Sequence, residues 1–235
     1  MAQATTDATY IRDLFDRIAP VYDDLNQSLS FGLHTIWKQM AVDWSGARAG
    51  MTGLDVCCGS GDLALLLARR VGRQGRVTGA DFAVEQLAIA AQRAATRGYT
   101  ARTQWVDADA LQLPFETAQF DVLTMGYGLR NLTDISQGLR ELHRVLKSSA
   151  RAAVLDFHQP SSDVVKQFQR WYLNRIVVPT AQRYGLTTEY AYIGPSVARF
   201  PKGCEKDDLA REAGFSSAVH YALAGGMMGV LVAEK

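Results

Sequence analysis

Apolar positions recur along this chain in three successive rhythms. Ile11, Leu14, Phe15 and Ile18 fall at helical spacing before Pro20, and Ile36, Trp37, Met40 and Val42 do so again within residues 33–44. That periodicity predicts two opening helices. The segment between them is polar and turn-rich, yet it holds Tyr22, Leu25, Leu29 and Phe31 as anchors, the pattern of a lid-like loop. From residue 51 the rhythm changes: short apolar runs (GLDVCC, GRVTGAD, ARTQWVD, FDVLTMGYG, ARAAVLDF) are interleaved with longer amphipathic stretches (DLALLLARRV, VEQLAIAAQRAATRG, DISQGLRELHRVLK). This predicts an α/β fold, a parallel sheet wound with helices on both faces, whose ligand sits at the carboxyl ends of the strands. The third rhythm closes the chain. FSSAVHYALAGGMMGVLVAEK reads as two strands joined around Gly225 and Gly226, an antiparallel hairpin.

At 235 residues the chain has the length of one domain. Residues 1–50 form its amino-terminal helical cap or lid, and residues 160–206 form an insertion before the hairpin. Hydrophobic residues at 48% and charged residues at 21% exclude disorder and fibrous repeats as descriptions of the whole. A net charge of +1 supplies no field to draw nucleic acid, and the four strand-end residues Met125-Gly126-Tyr127-Gly128 lack the loop associated with amino methylation of bases. Cys57, Cys58 and Cys204 offer neither metal spacing nor a paired disulfide framework, and His143 and His220, in a helix and a strand pattern, make no metal site. The expectation is a reducing, cytoplasmic setting, with no export signal and no membrane span. The insertion carries an excess of four positive charges, including Lys166, Arg170, Arg175 and Lys206, interleaved with Phe168, Trp171, Tyr172, Tyr184, Tyr190, Tyr192 and Phe200. It is expected as either a helical cap or a peripheral contact with the cytoplasmic face of a membrane.

The first strand–helix turn, Asp55-Val-Cys-Cys-Gly59-Ser60-Gly61-Asp62, satisfies the nucleotide fingerprint with Ala64 in the third glycine's place. Asp81, twenty residues after Gly61 at the end of the next strand, is the carboxylate expected to hold a ribose diol. Phe82 follows it, and Gly126 closes a neighbouring strand. A pyrophosphate on this loop would meet Asp55 and Asp62, each repelling it by roughly 1 kcal/mol in a partly buried cleft. S-adenosyl-L-methionine has no phosphate and carries an ammonium and a sulfonium, so the acidic loop favours it over a nicotinamide dinucleotide. Asp109-Ala110 reads as a partner for the adenine amino group or, almost equally, as a plain acid in an exposed loop.

Tyr22-Asp23-Asp24-Leu25-Asn26 through Ser30, Gly32, His34 and Trp37 resembles the amino-terminal signature of the ubiquinone/menaquinone C-methyltransferase family, with Leu25 where methionine is usual. Gly128-Leu129-Arg130-Asn131-Leu132-Thr133-Asp134 and Ser196 to Pro201 extend the resemblance over almost the entire chain. Cys57-Cys58-Gly59-Ser60 is similar to the phylloquinone branch, whereas Ser148-Ser149-Ala150 stands where the family has a Pro-Gly-Gly turn and Asp156 where Glu is common. The resemblance implies a class I methyltransferase, a Rossmann-like sheet using S-adenosyl-L-methionine. It also implies a prenylated quinol as substrate, 2-phytyl-1,4-naphthoquinol in that branch, methylated at a ring carbon, with Arg130, Asn131 and Tyr22 around the quinone. A menaquinol, a benzoquinol or another small aromatic or lipid acceptor stays open, as do a nicotinamide-dependent oxidoreductase and a non-catalytic nucleoside-binding protein.

Ring methylation needs an electron-rich quinol, whose hydroxyl has a pKa of about 10, so forming quinolate near neutral pH asks the site for roughly 4 kcal/mol. Arg130 is the candidate cation, Asn131 a donor to the same oxygen, and Tyr22 a partner for the ring hydroxyl or the methyl donor. Arg130-Asn131 also reads as a simple helix-entry loop capped by Thr133 or Asp134, and Tyr22 and Trp37 as pins for the lid. His34 reads equally as a loop histidine or a proton relay. His158 is expected at a strand end facing the cleft, outside the catalytic set.

Overall fold

The computed structural model describes Arg12, Arg17, Ile18, Leu25, Leu29, Ser30 and residues 32–235. Tyr22, and most of the predicted first helix and lid, lie outside the described residues. Seven strands form one sheet: β1 (Thr52–Val56), β2 (Arg76–Asp81), β3 (Thr103–Asp107), β4 (Phe120–Gly126), β5 (Leu146–Phe157), β6 (Ser217–Leu223) and β7 (Met228–Glu234). Their spatial order is β3-β2-β1-β4-β5-β7-β6. The first five are parallel, and β7 runs antiparallel to both neighbours. Strand order reverses between β1 and β4, which makes their carboxyl ends the switch point where such sheets hold ligands.

Helices α1 (Leu33–Trp44), α2 (Asp62–Val71), α3 (Val84–Thr96) and α4 (Ile135–Val145) pack on the sheet. The two-residue period of the strands divides the core. Val122, Ala153 and Leu155 point to the side covered by Ala41 and Val42 of α1 and Leu63, Leu67 and Val71 of α2. Leu123, Met125 and Val154 point to the other, against Leu139, Leu142 and Val145 of α4. These apolar positions alternate along each strand because both faces are buried. Asp134 caps α4 by accepting the Gln137 N–H at 2.8 Å, as its sequence position suggested.

Strand β5 begins directly at Leu146, four residues earlier than the apolar run predicted. Its ladder to β4 jumps from Phe120–Leu146 to Val122–Arg151, so five residues of β5 span two of β4. Ser149 takes a φ of 62° within that irregularity, which has the form of a bulge.

The insertion folds as α5 (Asp163–Tyr172), a π turn over Leu173–Val177, then α6 (Val178–Gln182), α7 (Thr187–Ala191) and α8 (Ile193–Arg199). Leu173, Val177, Ala181 and Tyr190 enclose Ile18 and Leu25 in a separate apolar cluster. Helix α9 (Gly203–Glu212) returns to the sheet beside β6. The basic and aromatic set of the insertion therefore does not form one surface. Lys206 is 2% exposed, with its Nζ 4.2 Å from the Phe200 ring centroid, and Tyr190 and Phe200 are buried.

Candidate active site

The chain leaves β1 through Cys57 (φ 53°), Gly59 (φ 50°) and Gly61 (φ 86°) before α2 begins. Gly61 is needed for more than its φ: a Cβ there would stand 2.9 Å from both Ala90 of α3 and Trp105 of β3. Asp81 fastens the turn, accepting the Gly59 N–H at 2.7 Å and the Ala83 N–H at 2.9 Å. Around these strand ends lies a cavity of about 80 Å³ walled by Asp55, Gly59, Ser60, Asp81, Phe82 and Gly126. A neighbouring cavity of about 160 Å³ holds Asp109 and Ala110 and shares Cys57, Phe82, Asn131 and Leu132 as walls. Eight of the nine residues expected to hold the cofactor thus line two adjoining hollows. Gly61 stands behind them as the hinge of the loop. The donor set fits a nucleoside carrying an amino acid: a buried carboxylate at a strand end, a half-buried aromatic ring beside it, and a glycine face open to solvent at Gly59, where a Cβ would meet only Gln86 at 3.8 Å.

The charge of this site differs from the sequence expectation. Asp62 is not a free acid: Lys38 Nζ lies 2.5 Å from its Oδ2, and Arg93 donates to its Oδ1. Burial raises its carboxyl, but the two cations outweigh burial and bring it down to about 2. Asp55 is completely buried and accepts the Thr124 hydroxyl at 2.8 Å. Burial pushes it up to about 7 despite that bond, so it is only partly charged near neutral pH. The loop's repulsion of a pyrophosphate is therefore weaker than two exposed acids would give.

A further cavity of about 160 Å³ lies beyond Tyr127, walled mainly by apolar and aromatic side chains including Trp37, Phe157, Tyr172, Val177, Tyr190 and Met228. Tyr127 and Asn131 line both this cavity and the one at the glycine turn. Tyr127 has a φ of 59°, and its carbonyl accepts Arg130 Nη1 at 2.7 Å and Asn131 Nδ2 at 3.0 Å. The Oδ1 of Asn131 is buried and has no hydrogen-bond partner among the described residues. Ser30 Oγ lies 2.7 Å from His34 Nδ1 on the same wall.

Arg130 lies in this cavity's wall as expected, but not as a lone cation. Its Nη1 is 2.6 Å from Asp156 Oδ1, its own N–H donates to Asp156 Oδ2 at 3.1 Å, and the two side chains are 7% and 3% exposed. The pair is near neutral overall, so its field on a bound anion is far below that of a single buried guanidinium. His158 corrects differently. It does not line the cleft but packs against His220, the rings tilted at 34° with centroids 4.5 Å apart, near Gly203 of α9.

Sequence reasoning passed over Tyr127, Lys38, Arg93 and Asp156 as site residues. Tyr127 alone left a local signal, a bulky residue between two glycines at a strand end, where a positive φ would expose it. The others are brought in from 24 to 31 residues away in sequence.

Comparison with known proteins bears on the fold and the family. A SAM-dependent methyltransferase from Aquifex aeolicus superposes with a TM-score of 0.63 over 84% of this chain and 88% of its own, at 19% identity. The cyclase SpnF superposes at 0.65 over 100% and 97%, at 18% identity. Such likeness shows the fold alone, which hosts more than one chemistry. Sequence carries further. A protein of Nostoc sp. named 2-phytyl-1,4-naphtoquinone methyltransferase is 58% identical over 96% of this chain and 98% of its own length. The chloroplastic 2-phytyl-1,4-beta-naphthoquinone methyltransferase of Arabidopsis thaliana is 50% identical over 95% and 87%. The nicotinamide and non-catalytic alternatives fall with these matches. With the family model matched across residues 3–235, the chain belongs to the ubiE/COQ5 methyltransferase family and is a methyltransferase with S-adenosyl-L-methionine as its cofactor.

Proposed function

We propose that this enzyme methylates a ring carbon of a reduced, prenylated naphthoquinol, and that 2-phytyl-1,4-naphthoquinol is its preferred acceptor. The observation that carries the reading is the apolar, aromatic-walled cavity that shares Tyr127 and Asn131 with the nucleoside cavity. The names of relatives that match the chain nearly end to end supply the acceptor's identity.

When bound, S-adenosyl-L-methionine supplies an electrophilic methyl group on a sulfonium. The chain's own residues do the rest. Asp81 and Phe82 seat the nucleoside, and Tyr127 with Asn131 aligns the two ligands across their shared wall, where orientation lowers most of the barrier. Nη1 of Arg130 is committed to Asp156 and the Tyr127 carbonyl, but a guanidinium has five N–H donors. The remaining ones, with the second N–H of Asn131, serve the quinol oxygen as hydrogen-bond donors more than as net charge. In the reaction a carbon–carbon bond forms, the sulfur–carbon bond breaks, and one proton leaves the acceptor. His34, oriented through Nδ1 by Ser30, is the wall residue suited to take that proton.

The test is mass spectrometry of products from 2-phytyl-1,4-naphthoquinol, a demethylated menaquinol and a benzoquinol, each supplied reduced and oxidised. One added methyl on the reduced phytyl naphthoquinol, and none on the oxidised forms, is expected. Faster methylation of the benzoquinol, or turnover of oxidised quinone, overturns the proposal.

A further inference from the structure

Helix α5 has two faces of opposite use. Inward, Tyr172 donates to the Leu29 carbonyl, Gln169 donates to the carbonyls of His158 and Met227, and both line the apolar cavity. Outward, Val164, Phe168 and Trp171 are 76%, 48% and 52% exposed. Positions i, i+4 and i+7 share one helical face, so the three make a continuous ridge rather than scattered exposure. The Phe168 and Trp171 rings lie 5.8 Å apart, and Ile176 extends the apolar exposure into the π turn at 37%.

Charge selects the occupant. From residue 163 to 177 the cations are Lys166, Arg170 and Arg175, against Asp163 as the one carboxylate, itself 3.0 Å from Lys166. An aromatic ridge flanked by cations matches the interface of an anionic bilayer, where rings sit among the headgroups and cations meet lipid phosphates. A second copy of this chain would meet the same three cations with its own, which opposes pairing through this face. The same helix walls the apolar cavity, so an acceptor with a long hydrocarbon tail reaches that cavity without crossing water. No helix among the described residues is long and apolar enough to span a membrane.

We infer that the outward face of α5, with Phe168 and Trp171 as its anchors and Lys166 and Arg170 as its headgroup contacts, seats the enzyme on an anionic lipid surface beside the acceptor cavity. The relevance of the tail rests on the quinol reading above; the lipid contact itself is tested without it. The probe is co-sedimentation with phosphatidylcholine vesicles, with and without phosphatidylglycerol, for the wild type, Phe168→Ser/Trp171→Ser and Lys166→Glu/Arg170→Glu. Retained calorimetric binding of S-adenosylhomocysteine establishes that each variant is folded. Wild-type partitioning that rises with phosphatidylglycerol and falls with salt, with at least a tenfold loss in both variants, is expected. Equal partitioning of all three proteins overturns the inference, as does a wild type that stays in the supernatant. Concentration-dependent dimerisation abolished by Phe168→Ser/Trp171→Ser overturns it as well. Vesicle binding without any quinol methylation would refute the acceptor while leaving the lipid surface standing.

Discussion

Removing one member of the Arg130–Asp156 pair should cost more than removing the pair. The side chains are 7% and 3% exposed and 2.6 Å apart, so Arg130→Met leaves a carboxylate buried without its counter-ion. Breaking such a pair from one side costs about 3–5 kcal/mol. For a chain of this size each kcal/mol moves the midpoint by about 2–4 °C, so Tm should fall by roughly 6–20 °C. Arg130→Met/Asp156→Asn removes both charges, and the single amide oxygen at 156 can still accept one of the two backbone N–H groups, of residues 130 and 157, that now bind Asp156 Oδ2 and Oδ1. That variant should recover most of the loss, ending within about 2 kcal/mol of the wild type. Urea denaturation followed by circular dichroism measures all four corners of this cycle. Methyl transfer measured beside it should stay low in both Arg130 variants, because the Tyr127 carbonyl has lost its 2.7 Å donor. If Arg130→Met alone stays within about 1 kcal/mol of the wild type, the guanidinium is not locked by Asp156, and the sequence reading of a free cation for the quinolate returns.

Three further outcomes follow from the same geometry. Gly61→Ala must force a Cβ to within 2.9 Å of Ala90 and Trp105 at a φ of 86°, so a loss of at least about 2 kcal/mol is expected in denaturant melts; an unchanged melt would contradict the packing. Asp55 titrates at about 7 and becomes more anionic as pH rises from 6 to 8, so affinity for the cationic methyl donor should rise by up to about tenfold across that range. Calorimetry should show the rise flattened in Asp55→Asn and smaller for S-adenosylhomocysteine, which keeps the ammonium but lacks the sulfonium; a rise of the same size in Asp55→Asn would refute it. The buried His158 and half-buried His220 rings, held by desolvation and the nearby Lys206 to about 4 and about 3, bind protons less readily folded than unfolded. Stability should therefore fall as pH drops from about 6.5 towards 4, by up to about 1.4 kcal/mol per unit for each ring, and urea midpoints of His158→Gln/His220→Gln should be flatter over that interval.

What could be read from the sequence was what local spacing controls. The parallel strands announce themselves because both of their faces are buried, which makes GLDVCC and FDVLTMG predominantly apolar runs rather than strict alternations. The glycine turn was legible because its spacing is local, and Asp81 because it ends the next strand, twenty residues after Gly61. The onset of β5 was not, because its Ser148-Ser149-Ala150 bulge has no periodicity to follow. Pairings at long range were hidden too. Nothing near Asp62 reveals that Lys38 and Arg93 neutralise it, and nothing near Arg130 reveals Asp156, so two charges that looked available in the sequence are spent inside the fold.

The backbone turn at Tyr127 walls two cavities at once, which on the proposed function gives donor and acceptor a common wall. A residue that borders two ligands transmits strain between them: whatever displacement the first guest imposes on that peptide alters the fit of the second, and reciprocity requires the influence to be equal in the opposite direction. Because the carbonyl is tethered to Arg130 and Asn131, this coupling is stiff. Order of addition may then be chosen freely in a binding experiment, while the sum of the two binding free energies will not equal that of the ternary complex.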